Sequence, residues 1–578
     1  MRRILMAGII AAGLVTLTNT AAPAYADVAP SVQQWLHTSE PGETAVLWVF
    51  FTDKGPYSEA RMEQELRRVA AAYPQDAVLR RIKARGGRPF DERDLPIYRP
   101  YLEAVRSTGV EIRAFSRWLN GVTVEVTAAE AEAIAGLAFV RGMRRVSGRR
   151  GGPQPEPWPD AAPRRLRGDG PGPYDAPPSP ALGEYGDSWR QLEQIQVLDL
   201  HSEGYTGTGI KVAVFDTGFW LEHEAFNQTS VIAEWDFIND DSVTANQPGD
   251  LENQHNHGTM CLSIIGGYSA GTLVGPAYDA DFILAKTEDM SQEAPVEEDW
   301  WIEAAEWADS LGAQVISSSL CYNDWYTYED MDGNTAPITI AADIAHENGI
   351  VVANAAGNSG ASDWKYILAP ADGFNVISVG SVDSTGLRSY WSSQGPTYDG
   401  RIKPTIMAMG QSTFIADPVG GTSSYRRGNG TSFATPLAAG AMALMLEKNP
   451  DWDSDRVLMA VLNTSTRASM PDTLYGYGIL QAHAASDFDI SGTLAAETAA
   501  PCVSIYPNPA RTYFNIVYSG GVKRVGLYDV AGRLVREFHL SSDGVTRFDL
   551  ASGDRRIPHG VYFLRAGATG AAKVLILK

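Results

Sequence analysis

The sequence predicts an α/β protein built around a doubly wound parallel sheet. Three observations carry this. From about 186 to 487, short apolar runs alternate with stretches of helical spacing, the pattern of strands joined by crossover helices. Several of those runs end in glycine-bracketed turns that hold a polar residue, and sites gather at such strand ends in open parallel sheets. The flanks follow other rhythms, so the 578 residues divide into more than one folding unit.

Residues 1–26 read as a signal peptide. Arg2 and Arg3 form the basic end, Ile4 to Leu17 the apolar run, and Ala24-Tyr25-Ala26 the cleavage site. Residues 27–148 read as a small α+β domain. TAVLWVFF at 44–51 is a strand, 58–72 a helix, and VEIRAFS at 110–116 and GVTVEVT at 121–127 are strands. A helix over 128–137, with Thr127 as N-cap, and a strand over 139–146 close the unit. The order strand-helix-strand-strand-helix-strand predicts a ferredoxin-like fold.

Residues 149–185 form a linker with 10 prolines between 151 and 181. Such density prevents packing, and the basic pairs Arg149-Arg150 and Arg164-Arg165 make it a candidate for maturation cleavage. In the central domain, 186–487, strands are expected at GIKVAVFD, ADFILAK, AQVISSSL, GIVVANAAG and FNVISVGSV. Helices are expected at 257–265, 300–311, 338–348, from Ser432 onward, and at 453–463. Residues 488–500 are a second linker. From 501 to 578, short strands such as FNIVYS, RVGLYDV, LVREFHL and GVYFLRA, spaced by turns, predict a β-sandwich.

The net charge of −22 argues against nucleic-acid binding. It is unevenly placed. Residues 201–490 hold 39 acidic and 11 basic side chains, whereas 27–150 hold 16 and 19; this reads first as a soluble acidic surface, with attraction between the two domains as the alternative. Cys261, Cys321 and Cys502 are too few for a disulfide framework or a zinc site, and Cys261 reads as a small buried hydrophobe.

Four residues sit where chemistry would need them. Asp216 ends the run VAVF, His257 opens an apolar helix, Asn358 lies in NAAGNSG, and Ser432 follows a glycine-rich turn at a helix start. A serine needs a base to become nucleophilic, and a helix N-terminus favours the negative charge that develops beside it. A histidine has the right basicity, and a carboxylate orients it.

The motifs DTG, HGT, AAGN and GTSFATP, with Asp216, His257, Asn358 and Ser432 in that order, resemble those of the subtilisin-like serine peptidases. The resemblance implies a triad of Asp216, His257 and Ser432 with Asn358 in the oxyanion hole. It places Ser319, Leu320, Cys321 and Gly357 at the substrate, an edge that normally pairs with the peptide. Polypeptides are the implied substrates, with secretion or the cell surface as destination. Residues 27–148 resemble the inhibitory pro-domains of these enzymes. Residues 501–578 resemble the sorting modules of type IX secretion, whose machinery becomes an expected partner. No cofactor is expected to be required.

Three departures stand out. Phe433 follows the serine where the family often has methionine, and a phenyl ring cannot form a sulfoxide. Ser319-Leu320-Cys321-Tyr322 replaces Ser-Leu-Gly-Gly, so side chains at 321 and 322 are expected to reshape the pocket. The family's calcium loop is not recognisable, and the acidic turn at 330–334 reads as a solvated loop, with calcium as the alternative. The rival reading is a catalytically inactive surface-binding protein on a peptidase scaffold. A lipase is disfavoured because no GxSxG surrounds Ser432.

Overall fold

The computed structural model describes residues 27–85, 88–146 and 182–489, and beyond 502 the strands between 503 and 576 with Arg533 and Ile557. The signal-peptide segment and most of the proline-rich linker lie outside the described residues.

The N-terminal domain runs β1 (Asp27–Val28), α1 (Pro30–Thr38), β2 (Thr44–Phe51), α2 (Glu59–Ala72), α3 (Gln75–Ala84), α4 (Arg99–Arg106), β3 (Ile112–Ser116), β4 (Gly121–Thr127), α5 (Ala128–Ala135) and β5 (Val140–Val146). Its sheet has the order β1-β5-β2-β4-β3. The four strands from β2 to β5 pair antiparallel in the expected ferredoxin-like manner, and β1 adds a parallel edge to β5. Thr127 caps α5 in a reciprocal capping box with Glu130.

β2 explains how this domain is placed. Its side chains alternate between faces. Leu47, Val49 and Phe51 enter the domain's own core. Val46, Trp48 and Phe50 point the other way and join a second core with Trp301, Ile302 and Ala305 of the central domain. A strand apolar on both faces needs cover on both, and the central domain supplies the second. Trp48 is fully buried there, a gain of about 2–3 kcal/mol for a side chain of that kind.

The central domain carries α6 (Trp189–Gln194), α7 (Val197–Ser202), β6 (Lys211–Asp216), β7 (Ser230–Asp236), α8 (Asn256–Gly266), β8 (Tyr268–Ser269), β9 (Leu273–Val274), β10 (Asp281–Lys286), α9 (Val296–Leu311), β11 (Val315–Ser318), α10 (Pro337–Glu347), β12 (Val351–Ala355), β13 (Ile377–Val382), β14 (Ile406–Met409), β15 (Gln411–Ala416), β16 (Tyr425–Asn429), α11 (Thr431–Lys448), α12 (Ser454–Thr464) and α13 (Ala482–Ser486). Seven parallel strands form one sheet, β14-β13-β12-β11-β6-β10-β7. One face carries α8, α11 and α12. The other carries α9 and α10. α11 is buried along almost its whole length, and Gly440 lets Pro276 pack against it.

The C-terminal region holds β17 (Val503–Tyr506), β18 (Tyr513–Tyr518), β19 (Arg524–Asp529), β20 (Leu534–His539), β21 (Val545–Asp549), β22 (Gly560–Ala566) and β23 (Gly570–Ile576). They form two antiparallel sheets, β17-β18-β21 and β20-β19-β22-β23. Phe514 and Phe548 of the first meet Phe538 of the second.

Candidate active site

Strand β6 ends on Asp216, and its neighbour β11 ends just before Ser319. The Asp216 carboxylate is fully buried and accepts from Nδ1 of His257 at 2.7 Å and from the N–H of Thr217 at 2.8 Å. The carboxylate keeps the imidazole proton on Nδ1 and leaves the Nε2 lone pair free. Gly258 makes this approach feasible. A Cβ there would lie 2.2 Å from the Gly218 carbonyl and 2.9 Å from Cβ of Asp216. Burial disfavours the charged imidazole, but the Asp216 charge outweighs it and holds the His257 pKa well above the ordinary histidine value.

Ser432 is the second residue of α11, in the first turn, where backbone N–H groups lack partners within the helix. Its hydroxyl donates to the Ser319 carbonyl at 3.4 Å, and the Ser319 hydroxyl returns a bond to the Ser432 carbonyl at 2.9 Å. The Phe433 ring stacks on the imidazole of His257 with centroids 6.0 Å apart. Gly428 leaves room for that ring, since a Cβ there would meet it at 2.5 Å.

Asn358 reaches the same turn from the end of β12. Its Oδ1 accepts from both the N–H and the hydroxyl of Thr431, each at 3.0 Å. A backbone N–H can only donate, so this pairing fixes which side of the amide is oxygen. The Asn358 NH₂ is thereby left to donate elsewhere, one residue from Ser432. Gly357, at φ +102°, could not carry a side chain, because Leu368 lies 2.3 Å from where the Cβ would be.

The chain belongs to the subtilase family. Its residues 207–478 match the family model of that description. It is 34% identical over 298 residues to subtilisin E of Bacillus subtilis, covering 51% of this chain and 70% of that protein. With a subtilisin of Bacillus pumilus the identity is 33% over 298 residues, covering 97% of that protein. A solved protease structure from Pseudoalteromonas arctica aligns at 24% identity and TM-score 0.43, over 54% of this chain and 98% of that one. Residues 46–155 match the peptidase S8 propeptide domain of Bacteroidota. Residues 504–577 match the secretion system C-terminal sorting domain. This subtilase is therefore a serine peptidase made as a zymogen with its own inhibitory domain, and its sorting domain points to secretion or surface export.

The expected substrate edge of this subtilase differs from the sequence reading at Tyr322. Its ring is fully buried, stacked on Trp325, and its hydroxyl donates to Glu288 at 2.8 Å. Its backbone is bonded in both directions to Ala369, at 2.8 and 3.1 Å. Tyr322 therefore supports the edge from beneath rather than walling a pocket. A phenol needs a buried partner, and Glu288 lies too far along the chain for sequence to pair them. Leu320 is buried too, its carbonyl accepting from Asn354 at 2.9 Å. Cys321 remains partly exposed.

Two features escaped the sequence reading. Cys261 is buried as expected, yet its sulfur lies 3.9 Å from Nδ1 of His257 and 3.5 Å from the Ser432 carbonyl. One helical turn separates it from His257, which is the signal that could have found it. Glu288, Glu293 and Glu297 bring carboxylate oxygens within 4.8 Å of one another. Burial and mutual repulsion push Glu288 up to about 8 and Glu297 up to about 10.

In the acidic turn at 330–334, Asp330 and Asp332 each bond to nearby donors through one carboxylate oxygen. Asp330 accepts from the N–H and hydroxyl of Thr327, and Asp332 from the N–H groups of Asn334 and Thr335.

Proposed function

We propose that this subtilase is an exported serine endopeptidase of broad polypeptide substrates that processes itself. The observation supporting this most is the 2.7 Å bond between Asp216 and His257, beside a serine in the first turn of α11. In this reading Ser432 Oγ attacks the scissile carbonyl carbon while its proton passes to Nε2 of His257. The tetrahedral oxyanion takes hydrogen bonds from the Ser432 N–H and the Asn358 NH₂. Collapse expels the amine, which carries off the proton from His257. Water, deprotonated by the same imidazole, then hydrolyses the ester and restores Ser432. Asp216 orients the ring throughout. Ser319, Leu320, Cys321 and Gly357 would frame the peptide, and no cofactor enters any step. Export would begin with the signal peptide at 1–26 and use the sorting domain with type IX machinery.

The inactive-binder alternative is less economical, because Asp216, His257, Asn358 and Ser432 fill all four motif positions of the sequence. Substituting Ser432→Ala decides between them. The enzyme reading requires loss of casein cleavage and accumulation of a form that retains residues 27–150. Survival of both cleavage and processing would overturn it.

A further inference from the structure

Helix α3 of the pro-domain carries Arg80 into the peptidase domain. There its guanidinium meets acceptors that all belong to the peptidase domain. Nε donates to the Asn348 carbonyl at 3.1 Å, one terminal nitrogen to the Ala313 carbonyl, and the other to the carboxylate and carbonyl of Asp309. Asn348 caps the C-terminus of α10, and Ala313 follows Gly312, which caps α9. Carbonyls at helix C-termini and a buried carboxylate favour a cation, and their spread around one plane suits a fork rather than a point charge. Gly349, at φ +93°, leaves the space, since a Cβ there would sit 3.0 Å from the Arg80 stem. Arg80 is 6% exposed and Asp309 fully buried.

The surroundings hold the charges in balance. Arg81 pairs with Asp309 and with Asp94, and the Tyr73 hydroxyl donates to Asp309 at 3.2 Å. Arg93 reaches Glu347 at the end of α10 at 2.6 Å. The position in the fold is informative. Ala313 and Asn348 precede β11 and β12, whereas Ser319 and Asn358 follow them. The recess therefore lies at the opposite end of the sheet from Ser432.

Resting on the zymogen reading above, we propose that the ends of α9 and α10 form a guanidinium-binding notch. Through it Arg80 sets how slowly the pro-domain leaves once the linker is cut. The notch stays with the mature enzyme, and the arginine leaves with the pro-domain.

The test uses the full chain carrying Ser432→Ala and a site-specific protease sequence placed within residues 160–165. After the cut, gel filtration follows whether the pro-domain piece co-elutes. The parent retains it. Arg80→Ala raises its dissociation rate about a hundredfold, the scale for truncating a buried charge pair. Arg80→Lys resembles Arg80→Ala, and Arg99→Ala, an exposed arginine of the same domain, resembles the parent. Arginine amide speeds release from the parent more than lysine amide at equal concentration. Dissociation of Arg80→Ala at the parent rate, with unchanged circular dichroism, overturns the notch. If that variant does not fold, equal action of the two amides overturns it. No step needs catalysis, so failure of the serine assignment would appear in the casein assay and not here.

Discussion

At the residue scale, the proposed mechanism makes His257 the group whose protonation decides turnover. The base must be neutral to accept the serine proton, so activity is present above the His257 pKa and lost as pH falls through it. Asp216 holds that pKa well above the ordinary value of 6.5, with burial opposing it. The acid limb of the kcat/KM profile should therefore lie above the usual histidine range. Asp216→Asn should move the limb down and lower kcat about 10⁴-fold by losing the tautomer. A limb unmoved by that substitution would mean that another group titrates. Most of this site was legible because each residue stands at an element end beside a glycine that sequence displays. The Cys261 contact was not, because a cysteine in an apolar helix reads as core whatever lies behind it. Tyr322 misled for the opposite reason: it follows the expected substrate edge in sequence but turns inward toward Glu288.

At the element scale, strands and helices with strong apolar period were legible, often to within two residues. β6 at 211–216, β10 at 281–286 and β13 at 377–382 fall inside the expected runs. Three of the missed elements carry a weak apolar signal. β7, SVIAEWD, is an edge strand with mixed exposure, and β16, YRRGN, is polar. α3, QDAVLRRIKA, looks solvent-facing because of its basic residues, yet Arg80 and Arg81 are buried. Their partner Asp309 is 228 positions from Arg81, a distance no local pattern can bridge. The turn at 330–334 reads as a solvated loop, with calcium as the alternative. Its carboxylates already satisfy backbone donors, so the melting temperature should be the same with and without chelator. A fall of several degrees in chelator would show that a metal holds this turn.

At the scale of the whole molecule, the charge asymmetry visible in the sequence finds a structural use. The acidic helix α9 presents Asp299, Glu303, Glu306 and Asp309 to a basic domain. Thr123 donates to Asp299 at 3.0 Å, the N–H of Phe115 to Glu303 at 3.2 Å, and Ser116 to Glu306 at 2.7 Å. Arg117 pairs with Glu306 at 3.1 Å. Burial pushes Asp299 up to about 7, with the Arg113 charge and the Thr123 bond pulling the other way. The pro-domain thus contributes both an apolar lid for α9 and α10 and a set of polar anchors. In the proposed function all of it serves a serine that must be unreactive first and nucleophilic later. The most direct measurement is labelling with a fluorophosphonate followed by peptide mapping of the processed protein. The account predicts one adduct, on Ser432, that disappears in His257→Ala. A folded, processed protein that takes no label, or takes it on another residue, would contradict it.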